Sequence, residues 1–289
     1  MIVARKNIDD KLWNSTVDKE AEGLPYAYTW YLDAVTDDWY AVVYDNYKAI
    51  FPFQIKRKLG LKYSLQPFLI QQLGMFGGDN LLLKKALKEI KKYIWHYHLH
   101  LNSSNYIDKN VIALRKNFEL SLKSDYSSLQ KQYSNNCKRN IKKTDALRIS
   151  FDTSSYDKEI QFIKTHGKLS LEKDRAPKLK QLLSNAQKEN SLQIAKAYKD
   201  NILLALVVLI KTKKRIVYLV SVSSQEGLEN KAMFKIVDSV IKKYANSDLL
   251  LDFEGSNIEN IARFYQGFGA VQNEYQEIKY NILTNLLKS

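Results

Sequence analysis

One cysteine, Cys137, is all that this chain of 289 residues holds. It can form no internal disulfide, and a zinc site built from thiolates is excluded with it. No apolar run reaches the roughly 20 residues that a membrane-spanning helix needs. Met1-Ile2-Val3-Ala4-Arg5 leads into charged sequence rather than a signal-peptide core, so a cytoplasmic location is expected. Neither a Walker-type phosphate loop nor a dinucleotide fingerprint is present.

Acids are also short, 31 Asp and Glu against 45 Lys and Arg, which leaves a formal charge of +14. Such a field draws anionic partners. The excess is uneven: seven basic residues lie between Lys123 and Arg148, whereas Asp248–Ser289 holds more acids than bases. A phosphate-bearing cofactor, an RNA or a nucleotide-linked precursor fits such a surface, and so does a merely solvated basic face.

The length suffices for one large core or two ordinary ones. Asp9–Val17 reads as a short helix. Trp39–Tyr44 and Lys48–Lys56 flank a turn at Asp45-Asn46 and predict a hairpin. Leu61–Leu65 is a candidate strand, Asn80–Tyr93 is helical in register, and Trp95–Leu101 alternates again. The second half repeats this order: Leu192–Tyr198 and Ile202–Ile210 about the turn Lys199-Asp200-Asn201, then Ile216–Val222 after a basic turn, Lys211–Arg215. A helix at Lys231–Tyr244, a strand at Leu249–Phe253, a further helix and a last strand at Tyr275–Ile282 follow. The unbroken run ILLALVVLI suggests a strand buried on both faces. These patterns predict two related α/β domains with mixed sheets, 1–124 and 125–289, with a basic helix over 125–145 at the junction and the final strand returning to the first domain. Tyr126, Leu129, Tyr133, Cys137 and Ile141 give that helix an oily side, and Lys138, Arg139, Lys142 and Lys143 a cationic one. Lys158–Asn190 is polar and helical, interrupted near Arg175-Ala176-Pro177.

The stretch Leu249–Ala270, LLLDFEGSNIENIARFYQGFGA, is the most informative. An apolar run ends in the corner Asp252-Phe253-Glu254-Gly255. Ser256 and Glu259 have the spacing of a capping box, and Ile258, Ile261, Ala262 and Tyr265 fall on one helical stripe. A strand end beside a helix start is where α/β proteins place chemistry.

Three segments carry a resemblance to a known family: YSNNCKRNIKK at Tyr133–Lys143, DFEGSN at Asp252–Asn257 and IARFYQGFGA at Ile261–Ala270. The second half resembles a GNAT (Gcn5-related N-acyltransferase) domain. The whole chain resembles the FemAB-like branch, which joins two such domains and includes aminoacyl transferases that build peptidoglycan cross-bridges. The resemblance implies acyl-CoA or aminoacyl-tRNA as co-substrate, with no permanently bound cofactor, and a small-molecule or nucleotide-linked amine as acceptor in a cleft between the domains, with tRNA as a candidate partner. It also places the donor loop at Ser224–Lys231, where Ser224, Gln225, Gly227, Asn230 and Lys231 are the candidate contacts. That loop has one glycine, with Glu226 and Glu229 nearby, where the GNAT pattern has two small residues. The long helical arm of some FemAB-like proteins has no counterpart in Lys158–Asn190.

Acyl transfer to an amine needs a proton acceptor for the nucleophile and a proton for the leaving group. Glu254 is the candidate acceptor, or a carboxylate capping the helix that follows. Tyr265 matches the tyrosine that many GNAT enzymes use to protonate the leaving thiolate, or is a core tyrosine. Arg139 and Lys142 are candidates for a phosphate of the substrate, or cations placed by a helix C-terminus. Tyr31, in the aromatic cluster with Tyr26, Tyr28 and Trp30, either lines the substrate cleft or packs in the core. His96, His98 and His100 share one strand face, but no carboxylate or further ligand is signalled near them, so no metal is assigned. The alternative to a transferase is a catalytically inactive protein of this fold that binds an anionic ligand, RNA or a protein partner.

Overall fold

Left-handed turns fold the strands of this chain onto one another. Asp45, Asn46 and Tyr47 all take positive φ between the first hairpin's strands, and Asp200 and Asn201 do so between the second's. Paired positive φ values match the right-handed twist of the strands they join, which is why Asn and Asp stand there. The computed structural model describes residues 1–152, 156–172 and 174–282. It divides into two compact units, Met1–Lys116 with the segment returning from Glu274, and Asn117–Asn273.

The first unit begins with β1 (Ile2–Ala4), α1 (Asp10–Lys19), α2 (Thr29–Val35), β2 (Trp39–Tyr44) and β3 (Ala49–Gln54). It continues with β4 (Lys56–Lys58), β5 (Leu61–Leu65), α3 (Asn80–Tyr93), β6 (His96–His100) and the start of β7 (Val111–Ser121). β1, β2 and β3 form an antiparallel sheet. In the other sheet β5 lies parallel to β6. The predicted stripe of α3 is buried: Leu83, Leu87 and Ile90 pack with Phe51, Phe53, Tyr97 and Leu99.

The second unit contains α4 (Tyr126–Lys131), α5 (Asn135–Ile141), β8 (Arg148–Phe151), α6 (Asp157–His166), α7 (Arg175–Lys188) and β9 (Leu192–Lys199). β10 (Ile202–Lys211), β11 (Arg215–Ser223), α8 (Gln225–Glu229), α9 (Ala232–Tyr244), β12 (Leu250–Asp252) and α10 (Glu259–Gln266) follow. β13 (Val271–Asn281) carries the chain back to the first unit, where it pairs antiparallel with β6. Within the second unit the sheet runs from the end of β7 through β12, β11, β10 and β9 to β8, antiparallel except for β11 beside β12. β10 is buried from Leu204 to Ile210, as its unbroken apolar run predicts. Ile236, Val237, Val240 and Ile241 of α9 pack with Ala205, Val207 and Leu209.

Not every expectation holds. The basic segment is not one helix but two, because Ser134 takes extended backbone and its Oγ accepts the Cys137 N–H at 3.2 Å, capping α5 afresh. Its oily side is nonetheless seated, since Tyr126 and Tyr133 both donate to the Asp238 carboxylate of α9, at 2.8 and 3.1 Å. The helical stretches of Lys158–Asn190 are interrupted ahead of Arg175, where expected, since α6 ends at His166 and α7 begins at Arg175, but Pro177 itself is inside the second helix. It sits in the first turn of α7, where a missing N–H costs nothing, while Lys173, just before that helix, lies outside the described residues. Arg215 is not part of an exposed basic turn but opens β11 and is 2% exposed. No helix among the described residues is long and apolar enough to cross a membrane.

Candidate active site

β11 and β12 pair only over Arg215–Val217 and Leu250–Asp252. β11 continues to Ser223, whereas β12 ends and its chain turns at the acid-bearing corner. Glu254 and Gly255 adopt φ of 56° and 66° there. For a residue with a side chain this backbone costs roughly 1–2 kcal/mol. An Asx-type bond holds it, because Asp252 Oδ1 accepts the Glu254 N–H at 2.8 Å. The strain therefore presents a half-buried glutamate at the strand end.

Asp252 is itself fixed from below. Its Oδ2 accepts from Arg215 Nη1 at 2.6 Å, and the same nitrogen donates to Glu119 Oε1 at 2.6 Å. Burial raises the Asp252 pKa, opposed by the guanidinium. Burial also works against the Arg215 charge, but Asp252 and Glu119 outweigh it and hold its pKa above the usual value. A cation shared by two carboxylates is stable in such an interior only because every charge has its partner.

Tyr265 reaches this corner from α10. Its ring stacks on Phe253 with centroids 4.6 Å apart and meets Tyr218 edge-on at 6.1 Å. Burial, then the charges of Glu254 and Asp252, push the Tyr265 pKa well up, so the phenol keeps its proton. Both roles weighed for this tyrosine, core ring and proton donor, are thus compatible with its position.

The helix that carries it differs from expectation at its start. α10 begins at Glu259, and Ser256 makes no capping box: its Oγ accepts the Ile258 N–H at 2.9 Å, a local turn that ends before the helix. Glu259 instead pairs with Arg263 at 2.6 Å. Ile258 and Ile261 are 62% and 37% exposed, so of the expected stripe only Ala262 and Tyr265 turn inward, packing with Phe268 just beyond the helix.

The proposed donor segment is the short helix α8 rather than an open loop. Ser224 Oγ accepts the Gly227 N–H at 3.0 Å. A Cβ on Gly227 would fall 2.2 Å from the Leu204 carbonyl oxygen, so this glycine lets α8 lie against β10. Gln225 donates to Glu229 and Asn230 to the Glu226 carbonyl, both at 2.9 Å. Lys231 follows with φ of 56°, and the first turn of α9 receives no side-chain cap.

Arg139 in α5 and Lys142 in the 3-10 turn after it are exposed. Arg139 contacts Asn136 Oδ1 at 3.3 Å, and neither cation forms an ion pair among the described residues. Cys137 on the opposite side is buried, its thiol pushed up to about 12 by burial and by Asp238, which makes it a packing residue. Sequence reasoning missed a pocket of about 310 Å³ beside it, lined by Ser134, Asn136, Phe234, Asn260, Arg263 and Phe264. Tyr31 belongs to the first unit, is fully buried, and donates its hydroxyl to the Leu69 carbonyl at 2.5 Å. His98 and His100, by contrast, do meet a carboxylate, that of Glu277 on β13.

No family model and no curated protein matches the chain. Solved structures do. FemX aligns with a TM-score of 0.67 and 11% identity over 94% of this chain and 96% of its own. The C-terminal domain of a putative lysylphosphatidylglycerol synthetase from Agrobacterium fabrum gives 0.60 at 10% identity, covering 93% of this chain and 90% of that one. A tandem GNAT protein from the clavulanic acid biosynthesis pathway gives 0.55 at 11% identity, covering 96% and 97%. At such identities the likeness is one of fold, and it is the fold that the motifs imply: this chain has the mixed α/β architecture of FemX and of tandem GNAT proteins.

Proposed function

We propose that the chain is an N-acyltransferase or aminoacyltransferase of the FemAB-like kind, with its chemistry at the end of β12. The observation that carries this reading is a glutamate held in strained left-handed backbone, over a buried ion cluster, beside a tyrosine that stays protonated. The acceptor amine attacks the carbonyl carbon of the donor and the new C–N bond forms. Glu254 takes the proton leaving nitrogen, and as the carbon–sulfur or carbon–oxygen bond breaks, Tyr265 supplies a proton to the leaving group. A general base at the end of a buried, preorganised network keeps its position without reorganisation during the reaction.

The donor is assigned to the segment Ser224, Gln225, Gly227, Asn230 and Lys231. There the lysine and the uncapped start of α9 favour an anionic group. Arg139 and Lys142 are assigned to anionic parts of a substrate. An amine-bearing peptidoglycan precursor is one acceptor that suits a basic surface. Acyl-CoA and aminoacyl-tRNA are the two donors to try. Either, at 100 times its dissociation constant, stabilises the folded chain by about 2.7 kcal/mol, which thermal unfolding resolves.

One observation favours a second reading. The side chains of Ser224, Gln225 and Asn230 are engaged with their own helix, while Arg139 and Lys142 stand free of acids. A non-catalytic protein that binds RNA or another polyanion would show salt-sensitive polyanion binding and no stabilisation by acyl donors.

A further inference from the structure

Alternation along β6 places His98 and His100 on one face of its strand. β13 lies antiparallel to it, with Glu277 directly opposite His100 and Lys279 opposite His98. The Glu277 carboxylate therefore sits under both imidazoles. His98 Nε2 contacts Glu277 Oε1. The other oxygen, Oε2, is held by Arg115 Nε at 2.5 Å. His100 Nδ1 lies 3.1 Å from the Gln71 carbonyl oxygen. A carbonyl can only accept, so that bond places the proton on Nδ1 and leaves the Nε2 lone pair free.

We propose that His98, His100 and Glu277 form a binding site for a divalent transition-metal ion of the zinc class. One donor atom from each residue lies within 4.8 Å of the other two. Donors on a four-coordinate zinc are about 3.4 Å apart, so the widest pair closes by at most about 1.4 Å, while the hydrogen-bonded His98–Glu277 pair opens to admit the ion and releases the proton it shares. Two imidazoles and one carboxylate are a donor set suited to zinc, cobalt or nickel rather than magnesium or calcium. The supporting contacts are those that metal ligands use. A backbone carbonyl fixes the tautomer and ring of His100, and a guanidinium fixes the far oxygen of Glu277. The His98 side chain is 37% exposed, which gives an ion a path from solvent and leaves a coordination position for water or a small anion. Arg115 and Lys279 bring positive charge nearby. Arg115 is bound to the oxygen that faces away from the imidazoles, and Lys279 is exposed, its charge open to solvent. None of the residues assigned to acyl transfer belongs to this set.

Titration of the full chain with Co2+ tests the site directly. The visible ligand-field absorption of a four- or five-coordinate ion should saturate at one equivalent and be abolished by added Zn2+. His98→Ala, and separately His100→Ala, should weaken Co2+ binding by more than about 100-fold, beyond what loss of a supporting contact costs. His98→Gln, which keeps side-chain volume at a partly exposed position, should do the same. His166→Ala, a histidine outside the set, should leave binding unchanged. Absence of saturable Co2+ and Zn2+ binding by the unmodified chain, or binding of full strength in His98→Ala or His98→Gln, would overturn the proposal.

Discussion

Two carboxylates on central strands invite comparison, Asp252 in the second unit and Glu277 in the first. Their side chains are 0% and 5% exposed, and each is met by an arginine at 2.6 or 2.5 Å. The difference lies in the partners. Arg215 is 2% exposed and bridges to a second acid, Glu119, whereas Arg115 and His98 are 38% and 37% exposed. A guanidinium sealed in with its carboxylates can only be a support. It fixes Asp252, which fixes the backbone of Glu254. A carboxylate whose partners reach solvent can exchange one of them for a ligand. Burial of an acid thus says little about its task until the exposure of its partners is known.

The largest effect should come from the sealed cluster. Arg215→Met leaves the fully buried Asp252 and the largely covered Glu119 without their cation and should cost roughly 3–5 kcal/mol in urea unfolding. A loss below about 1 kcal/mol would mean that the two clusters do not differ in kind. Next, Tyr265→Phe keeps the ring on Phe253 but removes the proton. Turnover should fall about 10²-fold with little change in unfolding midpoint, and a changed midpoint with unchanged turnover would return Tyr265 to the core alone. The smallest effect belongs to the open cluster: Arg115→Met should cost about 1 kcal/mol or less, since its guanidinium is partly solvated. A cost equal to that of Arg215→Met would erase the contrast.

Much of the fold was legible because the patterns were local. The turns Asp45-Asn46 and Asp200-Asn201, the stripe of α3 and the apolar run of β10 each stand where periodicity placed them. β7 escaped because Arg115, Lys116 and Asn117 interrupt its apolar residues. The corner at Glu254 could be located from sequence, but its left-handed backbone and its support could not. Arg215 lies 37 residues from Asp252 and 96 from Glu119, and a basic residue after Lys211 reads as a surface turn until the strand pairing is known. One signal was available, an arginine opening the otherwise apolar strand Ile216–Val220. The capping box failed because its residue spacing also fits a simple turn at Ser256. Glu277 was missed for a reason of distance: 179 residues separate it from His98, and only the antiparallel register of β6 and β13 brings them together.

The central claim is that the strained glutamate at the end of β12 does the proton work of acyl transfer. The direct measurement compares the chain with its Glu254→Gln variant in transfer from an acyl-CoA or an aminoacyl-tRNA to an amine, with thermal unfolding recorded on the same samples. The account expects kcat to fall by about 10²-fold or more at an unchanged unfolding midpoint. Equal turnover in the two proteins would contradict it.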